Sequence, residues 1–210
     1  MQRKKVQKNF EDANKKLTRL LNETIKALAS AVEKRDPYTA GHQQRVAMLA
    51  TAIALEMKLP QEQITGVKTA AIIHDIGKIC TPAEILSKPS KLTLYEFNLI
   101  TMHPEVGYEI LKGIEFPWPV SEIVLQHHER VDGSGYPRGL KGDNILLEAH
   151  ILIVSDVVEA MASHRPYRPA LGINKALDEI VNKKGKLYNA DVVDACIEIF
   201  MKKGFSLEQS

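Results

Sequence analysis

In its first half the chain reads Ile72-Ile73-His74-Asp75-Ile76-Gly77-Lys78. On a helix, residues three and four positions apart share a face, so His74, Asp75 and Lys78 would point the same way. The isoleucines are then free to face a core. An imidazole and a carboxylate beside an ammonium predict a metal-ligand pair next to a cation. The alternative is a surface helix end with a stray histidine, because short motifs match by chance.

Helical patterns surround this stretch on both sides. One helix has His42 in its first turn and runs to about Lys58, and Gln61 begins the helix that holds His74. Caps and apolar periodicity predict further helices downstream. They open at Thr93, Pro104, Pro119 (through His128), Leu146 (to Ala162), Asn174 and Asn189 (to about Lys203). No segment alternates cleanly with period two, so we predict an all-α fold.

The first thirty-odd residues form a polar, strongly helical segment with an imperfect heptad pattern. Phe10, Leu17 and Thr24 are seven apart, and Leu21 and Leu28 form a second seam. The pattern predicts a signalling or dimerising helix that leads from an upstream sensory domain and pairs with a second copy. The alternative is an amphipathic helix packed on its own domain. We divide the chain into a linker or signalling helix at 1–30 and a main domain at 31–210, and the whole could be a fragment of a larger protein.

The composition is that of an ordinary globular chain. It has 210 residues, 44% hydrophobic and 26% charged, which suffices for one good core. The net charge of +2 gives no argument for a nucleic-acid polymer or a membrane surface as partner, and no apolar run is long enough to span a membrane. Cys80 and Cys196 follow no disulfide or zinc spacing, which fits a reducing, cytoplasmic setting.

Asp156 and five of the seven histidines lie where metal ligands would be expected. Asp156 sits among apolar residues on a largely buried helix, where an unpaired carboxylate costs on the order of several kcal/mol. His127 and His128 precede a Gly-dense loop, which indicates close approach of backbone to a ligand; the alternative is a flexible surface connection. With so many histidines in one chain, a metal is a better partner for Asp156 than an Arg or backbone amides. The five histidines are His42, His74, His103, His127 and His128.

Imidazole and carboxylate donors without thiolate indicate Fe, Mn, Co or Zn. Five histidines and two aspartates exceed what one ion usually holds, whereas two ions sharing a carboxylate would use all seven. Such a pair clamps a phosphate and generates hydroxide at neutral pH. Lys78, beside the metals, could stabilise charge on the phosphoryl oxygens or help the leaving group.

Taken together, these stretches resemble an HD-GYP domain, a branch of the HD phosphohydrolase superfamily. The resemblance extends over roughly Ala31 to Gly172, with the motifs in the family's order. The matching motifs are Asp36-Pro37-Tyr38-Thr39-Ala40-Gly41-His42 with Arg45-Val46, His74-Asp75-Ile76-Gly77-Lys78, Leu86 with Lys88-Pro89 and Lys91-Leu92, His103-Pro104, His127-His128-Glu129 with Asp132-Gly133-Ser134-Gly135-Tyr136-Pro137, and Asp156 with Arg165-Pro166-Tyr167-Arg168.

The resemblance implies an HD-type helical bundle with a dinuclear metal site, preceded here by the N-terminal helix. It implies two divalent ions, Fe or Mn, and hydrolysis of cyclic di-GMP to linear pGpG or on to GMP by in-line attack of a metal-bridging hydroxide. One ion would be held by His42, His74, Asp75 and Asp156, and the other by His103, His127, His128 and the bridging Asp75.

The same resemblance implies that Tyr136, Arg165 and Arg168 contact the substrate, since the fork of an Arg can bind two phosphate oxygens. Some family members carry a Glu that adds a third metal where this chain has Tyr38, so we predict two metals. Two alternatives stay open. One is a cyclic di-GMP receptor or interaction module with little turnover. The other is an HD phosphohydrolase of another nucleotide, against which the glycine loop with Tyr136 argues.

Overall fold

The computed structural model describes residues 2–35, 41–164 and 170–207. Across these ranges the secondary structure is helical, and the only β feature is an isolated bridge between Lys184 and Tyr188. The predicted all-α fold is therefore confirmed. The helices are α1 Gln2–Glu33, α2 His42–Glu56, α3 Gln61–Ile73, α4 Ala83–Leu86, α5 Leu94–Ile100, α6 His103–Leu111, α7 Val120–Gln126, α8 Leu147–Ala162, α9 Ile173–Asn182 and α10 Ala190–Lys202, with 3₁₀ helices at Ile76–Cys80 and Gly142–Asn144.

The core forms around α2, which packs against both α3 and α8. Small side chains at Ala50 and Ala54 on α2 are fully buried, so the neighbouring helices can approach closely. In α8 the run Ile151–Val154 is buried on every side. A helix that is apolar all round belongs in the interior, and this run therefore places α8, with Asp156, at the centre of the bundle.

The N-terminal helix α1 has two different parts. Its last third belongs to the core, because Ile25, Ala29 and Val32 are buried and α1 packs against α3. Phe10 and Leu17, two members of the predicted heptad seam, are by contrast 67% and 66% exposed. The predicted boundary at residue 30 therefore lies inside one continuous helix. None of the described helices is both long enough and apolar enough to cross a membrane.

The prediction that one helix carries His74, Asp75 and Lys78 is wrong. Helix α3 ends at Ile73, and a 3₁₀ helix begins at Ile76. The chain turns tightly there because it lies against the start of α6: a Cβ atom on Gly77 would stand 2.0 Å from the carbonyl oxygen of His103. Residues three apart eclipse in a 3₁₀ helix, so Lys78 still meets Asp75.

Four other predicted helix ends can be compared with the structure. The capping box at Thr93 is confirmed, since its side chain accepts from the Glu96 amide, and the Asn189 cap of α10 is confirmed as well. Helix α9 begins at Ile173, so the expectation that Asn174 caps it is wrong. Helix α7 ends at Gln126, two residues before the predicted end at His128.

Candidate metal centre

The five candidate histidine ligands lie at or directly beside the ends of helices. His42 is the first residue of α2 and His103 the first of α6, while His74 and His127 directly follow the last residues of α3 and α7. His128 follows His127. The centroids of neighbouring rings in this set lie between 4.1 and 5.4 Å apart. The packing of four helix ends thus brings five imidazoles to one place.

One half of the centre combines histidines with carboxylates. The ligand atoms of His42, His74 and Asp75 all lie within 4.8 Å of one another, and all three residues are buried. Asp156 joins them from α8: its Oδ1 is 3.2 Å from Nε2 of His42 and 4.0 Å from Nε2 of His74. We call these four residues the acidic half.

The other half contains only imidazoles. The ligand nitrogens of His103, His127 and His128 also lie within 4.8 Å of one another. Nε2 of His103 is 3.1 Å from Nε2 of His127. We call these three residues the histidine half.

Asp75 lies between the two halves and presents one oxygen to each. Its Oδ2 is 3.6 Å from Nε2 of His74, and its Oδ1 is 3.5 Å from Nε2 of His103. Nζ of Lys78 donates to the same Oδ2 at 2.7 Å. This side chain is therefore the geometric link that a shared, bridging carboxylate requires.

The backbone determines which ring nitrogen is available to a ligand. Nδ1 of His74 donates to the carbonyl oxygen of Ala71, and Nδ1 of His103 and His127 donate to the carbonyls of Ile100 and Val124. A carbonyl can only accept, so in the neutral ring the proton lies on Nδ1 and the lone pair on Nε2. Two such lone pairs facing each other at 3.1 Å repel unless a cation lies beside them, and the donor set fits a metal for this reason.

Burial acts on the protonation of the two halves in different ways. Burial lowers the pKa of His103 to about 4, and it holds the pKa values of His127 and His128 well below their usual range. Burial also lowers the pKa of His42, but its hydrogen bonds with Asp156 and Glu159 outweigh that effect and raise the pKa to about 9. The histidine half is thus neutral and offers free lone pairs to a metal ion. In the acidic half the carboxylates favour a positive charge beside them.

The two aspartates remain ionised although Asp75 is buried and the side chain of Asp156 is only 13% exposed. Burial would raise the pKa of Asp75, but the charge of Lys78 holds it well below the usual range. For Asp156 the hydrogen bond from His42 has the same effect. Carboxylate and imidazole groups together are the hard oxygen and borderline nitrogen donors that divalent first-row metals prefer.

Of the three predicted substrate residues, Tyr136 is among those that the structure describes. Tyr136 lies beside the histidine half, with its ring centroid 4.8 Å from that of His128. Burial raises the pKa of its phenol, so it is a neutral hydroxyl at any ordinary pH. Arg165 and Arg168 lie outside the described residues, and so does Tyr38, which stands where some family members carry the Glu of a third metal.

The Gly-dense loop after His128 is held by Glu129, a residue to which the sequence analysis gave no separate role. Glu129 is fully buried and accepts from the backbone amides of Arg138 and Leu140 at 2.7 and 2.9 Å. A Cβ atom on Gly135 would stand 2.4 Å from the Arg130 amide nitrogen. The loop therefore folds back over residues 129–130, and this fold positions Tyr136 beside the histidine half.

A helical domain that brings five histidines and two aspartates together has the donor set of a divalent-metal site. The chain matches the model of the family described as HD domain over residues 26–192, and it belongs to that family. The predicted resemblance to an HD-GYP domain is confirmed.

The chain is also similar to characterised proteins. It is 42% identical over 177 residues to the cyclic di-GMP phosphodiesterase response regulator RpfG of Xanthomonas campestris pv. campestris (83% of this chain, 47% of the relative). It is 39% identical over 196 residues to a cyclic di-GMP phosphodiesterase of Thermotoga maritima (92% of this chain, 53% of the relative). The chain spans about half the length of these relatives.

Among solved structures, a cyclic GMP-AMP specific phosphodiesterase of Vibrio cholerae, V-cGAP3, superposes with a TM-score of 0.67 at 15% identity. The match covers 86% of this chain and 48% of that one. At this identity the likeness shows a shared fold.

Proposed function

We propose that this chain is a metal-dependent phosphodiesterase that hydrolyses cyclic di-GMP to linear pGpG or on to GMP. The observation that carries the proposal is Asp75, which presents one carboxylate oxygen to each of two histidine groups. The names of the two similar relatives from Xanthomonas and Thermotoga support the choice of substrate.

We propose further that two divalent ions, Fe or Mn, occupy the centre. The acidic half would hold one ion and the histidine half the other, with Asp75 shared. When bound, such a pair clamps a phosphate and supplies hydroxide at neutral pH. Imidazole and carboxylate donors suit both metals, and the ligands alone do not choose between them.

The chain's own residues have two tasks in this reaction. The backbone carbonyls of Ala71, Ile100 and Val124 orient the imidazoles through Nδ1, so that each Nε2 faces the centre. Lys78 holds its ammonium group beside Asp75, where negative charge on the phosphoryl oxygens grows during the reaction. Because its side chain is 17% exposed, Lys78 stands at the boundary between the buried ligands and solvent.

Substrate contact is proposed for Tyr136, Arg165 and Arg168. Support for Tyr136 comes from its place beside His128, where its ring offers an apolar face and its hydroxyl a hydrogen-bond donor. The proposal for the two arginines rests on the sequence motif.

The test starts from protein purified without oxygen. Metal per chain is measured on the same sample that is incubated with cyclic di-GMP, and the products are separated by chromatography. Two ions per chain with formation of pGpG or GMP are the expected result. Two ions with bound but intact cyclic di-GMP would replace the enzyme proposal with the receptor alternative.

A second nucleotide belongs in the same assay, because the structurally similar V-cGAP3 is specific for cyclic GMP-AMP. We expect cyclic di-GMP to be hydrolysed faster than cyclic GMP-AMP. Faster hydrolysis of cyclic GMP-AMP would keep the reaction class and change the substrate.

We also propose that α1 pairs with a second copy and connects to an upstream sensory domain, with the linker helix at 1–30 and the HD-GYP domain at 31–210. In support, Phe10, Leu17, Leu21 and Leu28 are at least half exposed although apolar. Sedimentation equilibrium should give a dimer, and Leu17→Gln should shift the population toward monomer. A monomer at all concentrations would contradict the pairing.

We propose a reducing, cytoplasmic setting because Cys80 and Cys196 are both free thiols.

A further inference from the structure

Behind the acidic half lies a third carboxylate that is not one of the predicted ligands. Glu159 is on α8, three residues after Asp156, and its side chain is fully buried. One of its oxygens, Oε2, accepts a hydrogen bond from Nδ1 of His42. The other, Oε1, accepts from Nε of Arg45 and from the hydroxyl of Ser163, both at 2.7 Å.

The partner of Nδ1 therefore differs between His42 and three other candidate ligands. His74, His103 and His127 each donate Nδ1–H to the neutral carbonyl of the residue three positions earlier in the chain. His42 donates to an ionised carboxylate that comes from a different helix. The first arrangement follows from local backbone geometry, whereas the second requires α2 and α8 to pack together.

A carboxylate on Nδ1 changes the ring in two ways. It fixes the tautomer and the orientation of the imidazole, as a carbonyl does, and its charge also makes Nε2 a stronger donor to a cation. A buried carboxylate is itself costly unless a cation or several donors satisfy it. Arg45 and Ser163 satisfy Oε1 and leave Oε2 directed at His42.

We infer that Glu159 is a positioning residue that strengthens His42 as a ligand, and that it makes the acidic half hold its ion more tightly than the histidine half. The inference rests on the proposed dinuclear site. The competing explanation is structural: Glu159 and Arg45 would only tie α2 to α8. The two explanations differ in their consequences for metal affinity.

The test measures ion retention without any turnover. Protein loaded with Mn²⁺ is dialysed against graded concentrations of a chelator, and Mn²⁺ per chain is measured at each step. Wild-type protein should lose its ions in two steps. In Glu159→Gln the step of the tighter ion should shift by about 10–100-fold in affinity, the range known for outer-sphere partners of metal-bound histidines, while the other step stays in place.

Ser163→Ala provides the matched control. It removes one hydrogen bond to Oε1 and leaves the bond between Oε2 and His42, so both steps should remain at their wild-type positions. Glu159→Asp serves if the Gln variant does not fold. It keeps the charge beside Arg45, but its side chain is one methylene too short to reach His42, and it should shift the same step.

Three outcomes would overturn the inference. Unchanged steps in a folded Gln or Asp variant would leave Glu159 with a structural role only. Equal shifts of both steps, together with a lower melting temperature of the metal-free protein, would have the same meaning. Wild-type protein that binds no Mn²⁺ would overturn this inference and the proposed function together. Two steps without turnover would contradict only the proposed function.

Discussion

The two halves of the candidate metal centre use the same imidazole group in opposite electrostatic surroundings. In the acidic half, hydrogen bonds with carboxylates raise the pKa of His42 to about 9 against the effect of burial. In the histidine half, burial lowers the pKa of His103 to about 4, and the charge of Asp75 opposes this only in part. The difference teaches that one half attracts a cation through its own charge, while the other relies on neutral lone pairs and on the single oxygen that Asp75 directs to it.

The largest expected effect follows from removing the residue that the two halves share. Asp75→Asn keeps the size of the side chain and removes the charge that faces both histidine groups. We expect the variant to lose both ions and to show no detectable hydrolysis. Its metal affinity should fall by more than the loss of about 10–100-fold that follows from removing an outer-sphere partner. Metal analysis and product chromatography on one preparation measure both quantities.

For this variant, circular dichroism should show the helical content of the wild type, since Lys78 is partly exposed and can be solvated once its partner is neutral. Retention of one full ion by Asp75→Asn would mean that one half does not need the shared oxygen. Retention of two ions would refute the bridging role.

A smaller effect is expected when each half loses one ligand of its own. His74→Ala belongs to the acidic half and His128→Ala to the histidine half. We expect each variant to keep about one ion per chain, because Asp75 and the opposite half stay intact. Chelator titration should show that the ion left in His128→Ala is the more tightly held one.

His150→Gln is the matched control for both variants. His150 is a buried histidine that belongs to neither metal-binding group among the described residues. We expect the His150→Gln variant to keep two ions per chain. If His74→Ala and His128→Ala gave the same residual affinity, the two halves would be equivalent and the comparison would fail.

Sequence reasoning selected candidate ligands that the structure brings together, because their residue types depend on local chemistry. A carboxylate inside an apolar helix and histidines beside helix breaks are visible in one segment at a time. It missed the end of α3 at Ile73, because that end depends on how closely Gly77 approaches α6, a contact between distant segments. It also gave Glu159 no role, although the spacing of three from Asp156 already placed both carboxylates on one face of α8.

The N-terminal helix was harder to read for a similar reason. Ile25, Ala29 and Val32 follow a helical spacing of four and three and are buried against the domain. The heptad positions Phe10 and Leu17 compete with them in the same helix. Two overlapping apolar patterns cannot be assigned to inner and outer faces until the position of α3 is known.

The smallest effect on the ions, and an informative one on the chemistry, is expected at Lys78. Lys78→Met keeps a long side chain beside Asp75 and removes the ammonium that donates to Oδ2 at 2.7 Å. Both ions should stay, because the carboxylate loses a competitor and keeps its charge. Turnover should fall by about 10²–10³-fold, the typical cost of removing one group that stabilises developing negative charge.

Lys112→Met is a suitable control, since Lys112 is a half-exposed lysine that pairs with Glu109 on α6. Its turnover and ion content should equal those of the wild type. Full turnover in Lys78→Met would assign the ammonium to holding Asp75 in place. Loss of ions in parallel with turnover would mean that Lys78 helps to retain the metal ions. Asp75 would then depend on the ammonium of Lys78 as well as on the two ions that it shares.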